Sequence, residues 1–179
     1  MGIDITAYRK INLCSCPFNL DEDGEPTCDD GYEWVSDKAR LYLNDSFPGR
    51  ADEITDGGYY SHEDADHCLS MGYIGYGAFR LQLAKLAGYP VATEGSRTGE
   101  DVGAWLADGG PFWEIINFSD CEGVIGAKVA AKLANDFADF QVAADACIAQ
   151  WGPRKFSEIY NRLRAGVEMA ADGGALKFS

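Results

Sequence analysis

Two apolar stripes at helical period, separated by Gly152-Pro153, constrain this chain more than any other feature of it. In the first, Val129, Leu133, Phe137, Phe140, Ala144, Cys147, Ile148 and Trp151 fall on one face and predict a helix over 126–151. In the second, Phe156, Ile159, Tyr160, Leu163 and Val167 predict a helix over 154–171, ended by Asp172-Gly173-Gly174. Each stripe must be buried, and the Gly-Pro break lets the two helices fold back as an antiparallel pair. Trp151, Phe156 and Tyr160 gather at the hinge end. A chain of this size is not expected to bury all three, so a homodimer joined through helices is expected.

The N-terminal half reads as strands and turns. Residues 3–14 alternate, with Ile3, Ile5 and Ala7 on one side and Asp4, Thr6 and Tyr8 on the other. Asp23-Gly24 centres a turn-rich stretch over 17–30 and signals a hairpin. Tyr32–Val35 and Leu41–Leu43 read as short strands, Phe47–Arg50 and Asp56–Gly58 as turns, and Tyr59-Tyr60 as a brief extended piece. Helical spacing begins at Tyr73, runs through Tyr76, Phe79, Leu83 and Leu86, and stops at Gly88 and Pro90. Residues 91–99 read as a loop, and Val102, Trp105 and Leu106 as a short helix. Pro111 is placed to open another helix through Asn117, and Ala175–Phe178 to return as an edge strand. The expected fold is α+β in a single domain over 1–179: N-terminal antiparallel strands and a hairpin packed against C-terminal helices, including the long pair.

Charge excludes some partners. The formal charge is −14, unevenly placed: residues 1–66 carry 16 acidic and 5 basic side chains, net −11, and residues 67–179 carry 13 and 10, net −3. Such a chain repels a phosphate backbone, so no direct nucleic-acid binding is expected. No apolar run approaches the ~20 residues that span a bilayer, and no basic-then-apolar leader opens the chain. No membrane partner and a cytoplasmic location are therefore expected. In that setting Cys14, Cys16, Cys28, Cys68, Cys121 and Cys147 are expected to be reduced thiols.

Several strings resemble chemical motifs, and each has a plainer explanation. Asn19, Asp21, Asp23, Gly24, Glu25, Thr27 and Asp30 fall on calcium-loop positions. Strands rather than helices flank them, and a hairpin tip needs the same residue types. Cys14, Cys16 and Cys28 with His67-Cys68 offer zinc ligands, without a Cys-x-x-Cys pair. His62, Asp64, Asp66 and His67 would suit a metal-dependent hydrolase, but on a helix the two histidines would lie about 140° apart. A solvated acidic loop explains that run better. Cys121 between Asp120 and Glu122 is a poor nucleophile, because neighbouring carboxylates disfavour the thiolate. No metal and no cofactor are expected.

Two runs suit a ligand better. Met71–Arg80 is a glycine-aromatic run opening a helix, where backbone N–H groups favour anions and Arg80 would pair a phosphate. Gly109–Gly123 sets Phe112, Trp113, Ile115, Ile116 and Phe118 beside Asn117, Ser119, Asp120 and Glu122, the mixture of a concave site with an apolar wall and convergent polar groups.

Asn44–Asp52, Gly72–Arg80 and Pro111–Gly123, with the terminal Met169–Gly174, resemble an uncharacterised family of small accessory proteins encoded by tailed bacteriophages and bacterial prophages. The likeness covers most of residues 1–174. Cys14, Cys16, Cys28 and His62 fall outside the family's pattern, and no catalytic residue comes with it. The resemblance implies a protein acting in the bacterial host cytoplasm, with counter-defence as its setting.

The leading expectation is a non-enzymatic protein that sequesters a small phosphate-containing nucleotide signal. Arg50 and Arg80 would meet phosphate, Tyr60, Tyr73, Tyr76 and Trp113 would stack, and Asn117, Ser119 and Asp120 would bond base or ribose. The alternative is an acidic inhibitor that docks on a host defence or DNA-binding protein. A metal-dependent hydrolase is third.

Overall fold

The computed structural model describes residues 2–14, 18–20, 26–28, 38–90, 107–118, 122–148, 150–151 and 154–179. Its centre is a four-stranded antiparallel sheet. The alternation of Ile3, Ile5 and Ala7 builds β1 (Gly2–Arg9), and all three side chains are fully buried on one face. β1 pairs with β7 (Asp64–Gly72) on one side and with β11 (Ala175–Phe178) on the other. β8 (Gly123–Gly126) pairs with β11, giving the order β7-β1-β11-β8.

Helices cover one face of this sheet. α1 (Tyr73–Leu86) follows β7 directly, α3 (Ala127–Asp139) follows β8, and α5 (Phe156–Ala171) precedes β11. α5 lies across β1, β7 and β11 with α3 beside it. Phe156, Ile159, Tyr160, Leu163 and Val167 all face inward, as their spacing predicts. One close approach fixes the geometry here. β7 carries an extra residue opposite the Ile5/Thr6 step, and this bulge turns Cys68 into the core. A Cβ on Gly166 of α5 would sit 2.2 Å from the Cys68 Sγ, so only glycine lets the helix cross at this depth.

The other face is covered in part by a three-stranded sheet, β2 (Asn12–Leu13), β6 (Gly58–Ser61) and β5 (Ala39–Leu41), in the order β2-β6-β5. Leu41, Ile54 and Tyr60 meet Val124 and Ala175 in a second, smaller core. β3 (Phe18–Leu20) and β4 (Pro26–Cys28) pair with Asn19 opposite Thr27, the hairpin that Asp23-Gly24 signals.

The α+β expectation matches this fold, and four details differ. The helix expected over 126–151 ends at Asp139. A short α4 (Gln141–Asp145) follows, and residues 150–151 form β9, paired with β10 (Arg154–Lys155). Phe140 leaves helical geometry while its ring packs edge-on against Phe112, and beyond it Ile148 is 98% exposed. A straight helix would have carried the stripe past the sheet it must cover. Secondly, residues 64–67 belong to β7 and not to an acidic loop; pairing with β1 gives the run its structure, and its charges face solvent. Thirdly, Ala175–Phe178 is central and not an edge, which its burial on both faces explains. Finally, Phe156 and Tyr160, two of the three hinge aromatics, are fully buried within the chain.

Candidate functional site

The segment 107–118 combines aromatic, charged and glycine residues because it is a plug held from three directions. Phe112 adopts a left-handed conformation at φ 55° and opens α2 (Trp113–Ile116). Its ring packs against Phe137, Phe140 and Tyr160. Its N–H donates to the Asp136 carboxylate at 2.7 Å. Lys132 ties the segment to α3, pairing with Glu114 at 2.6 Å and Asp136 at 2.8 Å and donating to the Gly110 carbonyl. Ile115, Ile116 and Phe118 are buried beside it.

The two arginines expected to meet phosphate meet this plug. Arg50 donates to the carbonyls of Glu114 and Pro48, both at 3.3 Å, and lies 4.3 Å over the Trp113 ring. Arg80 donates to the Ile116 carbonyl at 2.7 Å. Carbonyls at the end of a short helix carry partial negative charge and are natural partners for guanidinium. Burial pulls the pKa of both arginines down, opposed by Glu114 at Arg50 and by Tyr76 at Arg80.

The expected stacking residues are largely engaged in the same way. Tyr76 is buried and donates to the Phe118 carbonyl at 3.1 Å, and burial raises the pKa of its hydroxyl. The Trp113 indole donates to the Ala107 carbonyl at 2.7 Å. Tyr60 lies apart in the second core, where its hydroxyl accepts from the Thr55 N–H. Asn117 is buried beside Phe118, and Tyr73 is half-buried at the start of α1. Ser119 and Asp120 lie outside the described residues. The structure therefore brings Arg50, Arg80, Tyr76, Trp113 and Asn117 together around α2, and leaves Tyr60 elsewhere.

The histidine and cysteine candidates diverge. His62 lies 5.0 Å from the Tyr8 ring, Asp64 pairs with Arg9 at 3.3 Å, and His67 faces Asp4 at 3.6 Å. Cys68 is buried, and burial pushes its thiol up to about 11, leaving an inert thiol at neutral pH. Cys147 packs beside the core, where Gln82 donates to its sulfur at 3.3 Å. Among the described residues no group of three or more His, Cys, Asp or Glu side chains gathers as a metal site would require. Most of the calcium-like string lies outside the described residues. No helix among them is long and apolar enough to cross a membrane.

A different place is open. Where β8 begins and β11 ends, a cleft of about 710 Å³ lies beside the loop that follows β5. Tyr42 and Leu43 give it an exposed apolar wall, with Phe178 buried behind; Asn44, Asp45, Asp56, Glu122 and Lys177 line the rest. Its shape is fixed from below. The Leu43 N–H donates to Asp56, and Asn44 donates to the Glu122 carbonyl at 2.7 Å. Gly123 sits at φ 127°, where a Cβ would lie 2.8 Å from Asn44, so the loop closes only over glycine. Tyr42 is 42% and Leu43 39% exposed. The carboxylates of Asp45 and Glu122 and the amine of Lys177 form no ion pair among the described residues. Sequence reasoning singled out none of Tyr42, Leu43, Asp45 or Lys177 as a site residue. The usable signal was a pair of large apolar residues directly followed by Asn-Asp.

Residues from 44–52, 71–80 and 112–122 meet around α2 and the cleft beside it. Phe47 stacks on Phe118 at 4.6 Å, Arg50 and Arg80 hold α2, and Asn44 holds Glu122. Compared with family models, curated proteins and solved structures, the chain matches none.

Proposed function

We propose that this chain is a binding protein that engages a basic protein partner through its acidic surface. The observation that carries this reading is the cleft with two exposed carboxylates, Asp45 and Glu122, that form no ion pair among the described residues. Asp45 and Asp56 come from residues 1–66, which hold −11 of the −14 charge, and Glu122 comes from the remainder of the chain. Unneutralised charge of one sign steers a partner of the other sign and rejects anionic competitors. The arginines that a phosphate ligand would need are instead engaged with backbone carbonyls. In the phage setting that the resemblance implies, the partner class is a host DNA-binding or defence protein.

A nucleotide-like ligand is the second reading, and one observation favours it: Lys177 offers an unpaired cation inside the same cleft. The test is the salt dependence of binding to a purified basic DNA-binding protein, with an acidic protein as control. The screening length falls from about 30 Å at 0.01 M salt to about 8 Å at 0.15 M. Binding should weaken steeply across that range and be absent for the control. Binding indifferent to salt, or none to any basic protein, removes this reading.

A further inference from the structure

The cleft has an unusual division of surface. Its exposed apolar wall is formed by Tyr42 and Leu43, while Asp45 and Glu122 are exposed carboxylates. A small apolar ligand would leave those carboxylates unmet, and a simple cation would leave the apolar walls wet. One common group satisfies both. An arginine side chain has an aliphatic stem that covers apolar surface and a guanidinium that keeps its charge at the edge.

We propose that this cleft is the anchor point of the acidic surface, docking a single arginine side chain from a basic segment of the partner protein. The stem lies along Tyr42 and Leu43, and the guanidinium meets Asp45 and Glu122. Planar guanidinium forms forked hydrogen bonds to carboxylates and stacks on aromatic faces, which ammonium does neither as well. The fold already places one guanidinium on this aromatic wall: Arg40 lies 4.9 Å over the Tyr42 ring. Lys177 opposes the incoming cation and makes the direction of selectivity measurable. Asp56 has a different task, since its carboxylate holds the Leu43 N–H. This inference rests on the proposed function for the identity of the partner, but the cleft can be probed without one.

The experiment uses the full chain and three short peptides that differ only at one central residue: arginine, lysine, or the neutral isostere citrulline. Amide chemical shifts are followed during titration. The arginine peptide should move the amides of Asn44, Asp45, Gly123 and Lys177 and the citrulline peptide should not. Asp45→Asn with Glu122→Gln should weaken arginine binding roughly threefold to tenfold, the range for two exposed ion pairs. Lys177→Met should tighten it. Unmoved cleft amides, equal binding of citrulline, or a Lys177→Met variant that binds more weakly would each overturn the proposal. Equal binding of lysine would overturn the arginine assignment. ADP-ribose moving the same amides in place of the arginine peptide would mark an anion site. If the cleft binds arginine while no basic protein is captured, the wider reading fails and the anchor stands.

Discussion

In the 107–118 plug, an arginine lies on a tryptophan and a lysine is held between two carboxylates. In the Tyr42–Asp45 cleft, a tyrosine and a leucine stand exposed beside two carboxylates and an ammonium without ion-pair partners. Residue types are similar in the two regions; the difference is whether their charged groups are already paired. A buried polar group must find a partner or cost about 1–3 kcal/mol, so aromatic-polar mixtures arise wherever an irregular segment is buried. Ligand binding needs the opposite condition, polar groups held in place with capacity left over.

The sharpest way to break this contrast is at Phe112. Its ring is fully buried among Phe137, Phe140 and Tyr160. Phe112→Ala should cost about 3–5 kcal/mol in urea unfolding, because it deletes a buried aromatic ring and leaves a cavity. A cost below about 1 kcal/mol would mean that the plug is a surface loop after all.

Asp136→Ala should come next. It leaves the Phe112 N–H without its acceptor and removes one of two carboxylates from Lys132. The expected loss is about 1–3 kcal/mol. Unchanged stability would show that Phe112 holds its left-handed geometry without the clamp.

Arg50→Met keeps much of the stem and removes the guanidinium over Trp113. A loss of about 1–2 kcal/mol is expected, with a shift in tryptophan emission. Arginine-peptide affinity should stay unchanged, since Arg50 serves the plug; a fall in affinity would join the two regions into one site.

A gentler test lies in the bulge of β7. The Cys68 thiol is raised to about 11 from its ordinary 9.0 by burial. Between those values the unfolded chain releases a proton that the native chain keeps. The native state then binds more protons, so stability should fall as pH rises from about 9 to about 11. Cys68→Ala should remove that component, measured as the difference between the two proteins' unfolding curves. Parallel curves would place the thiol in a wetter environment.

What could be read from the sequence follows the same physical line. The inward faces of β1, α1 and α5 were legible because period alone decides which residues are buried. The central place of β11 was not, since four residues ending a chain carry no signal of their neighbours on either side. The break at Phe140 was hidden because its stripe continues unbroken to Trp151; only the position of Phe112 shows why the helix stops. For the candidate site, the Arg50, Arg80 and Trp113 strings did identify residues that gather in space. That they gather around a helix of their own chain is a tertiary fact. Asp45 and Glu122 lie 77 positions apart, and their shared cleft depends on Asn44 reaching the Glu122 carbonyl.

The smallest effect is the most discriminating. Asp45→Asn with Glu122→Gln removes two charges that make no ion pair among the described residues. The Asn44 anchor uses the backbone carbonyl of Glu122, so the loop keeps its hold when the side chain is neutral. The unfolding free energy should therefore change by less than about 0.5 kcal/mol, the range for substitutions away from structural contacts. Any change should be towards greater stability, because a chain at −14 gains from losing like charge, and added salt should shrink that gain. A marked destabilisation would show that these carboxylates hold the fold as Asp136 does, and the contrast between cleft and plug would disappear. Unchanged stability with weakened arginine binding would place them where polar atoms serve a partner.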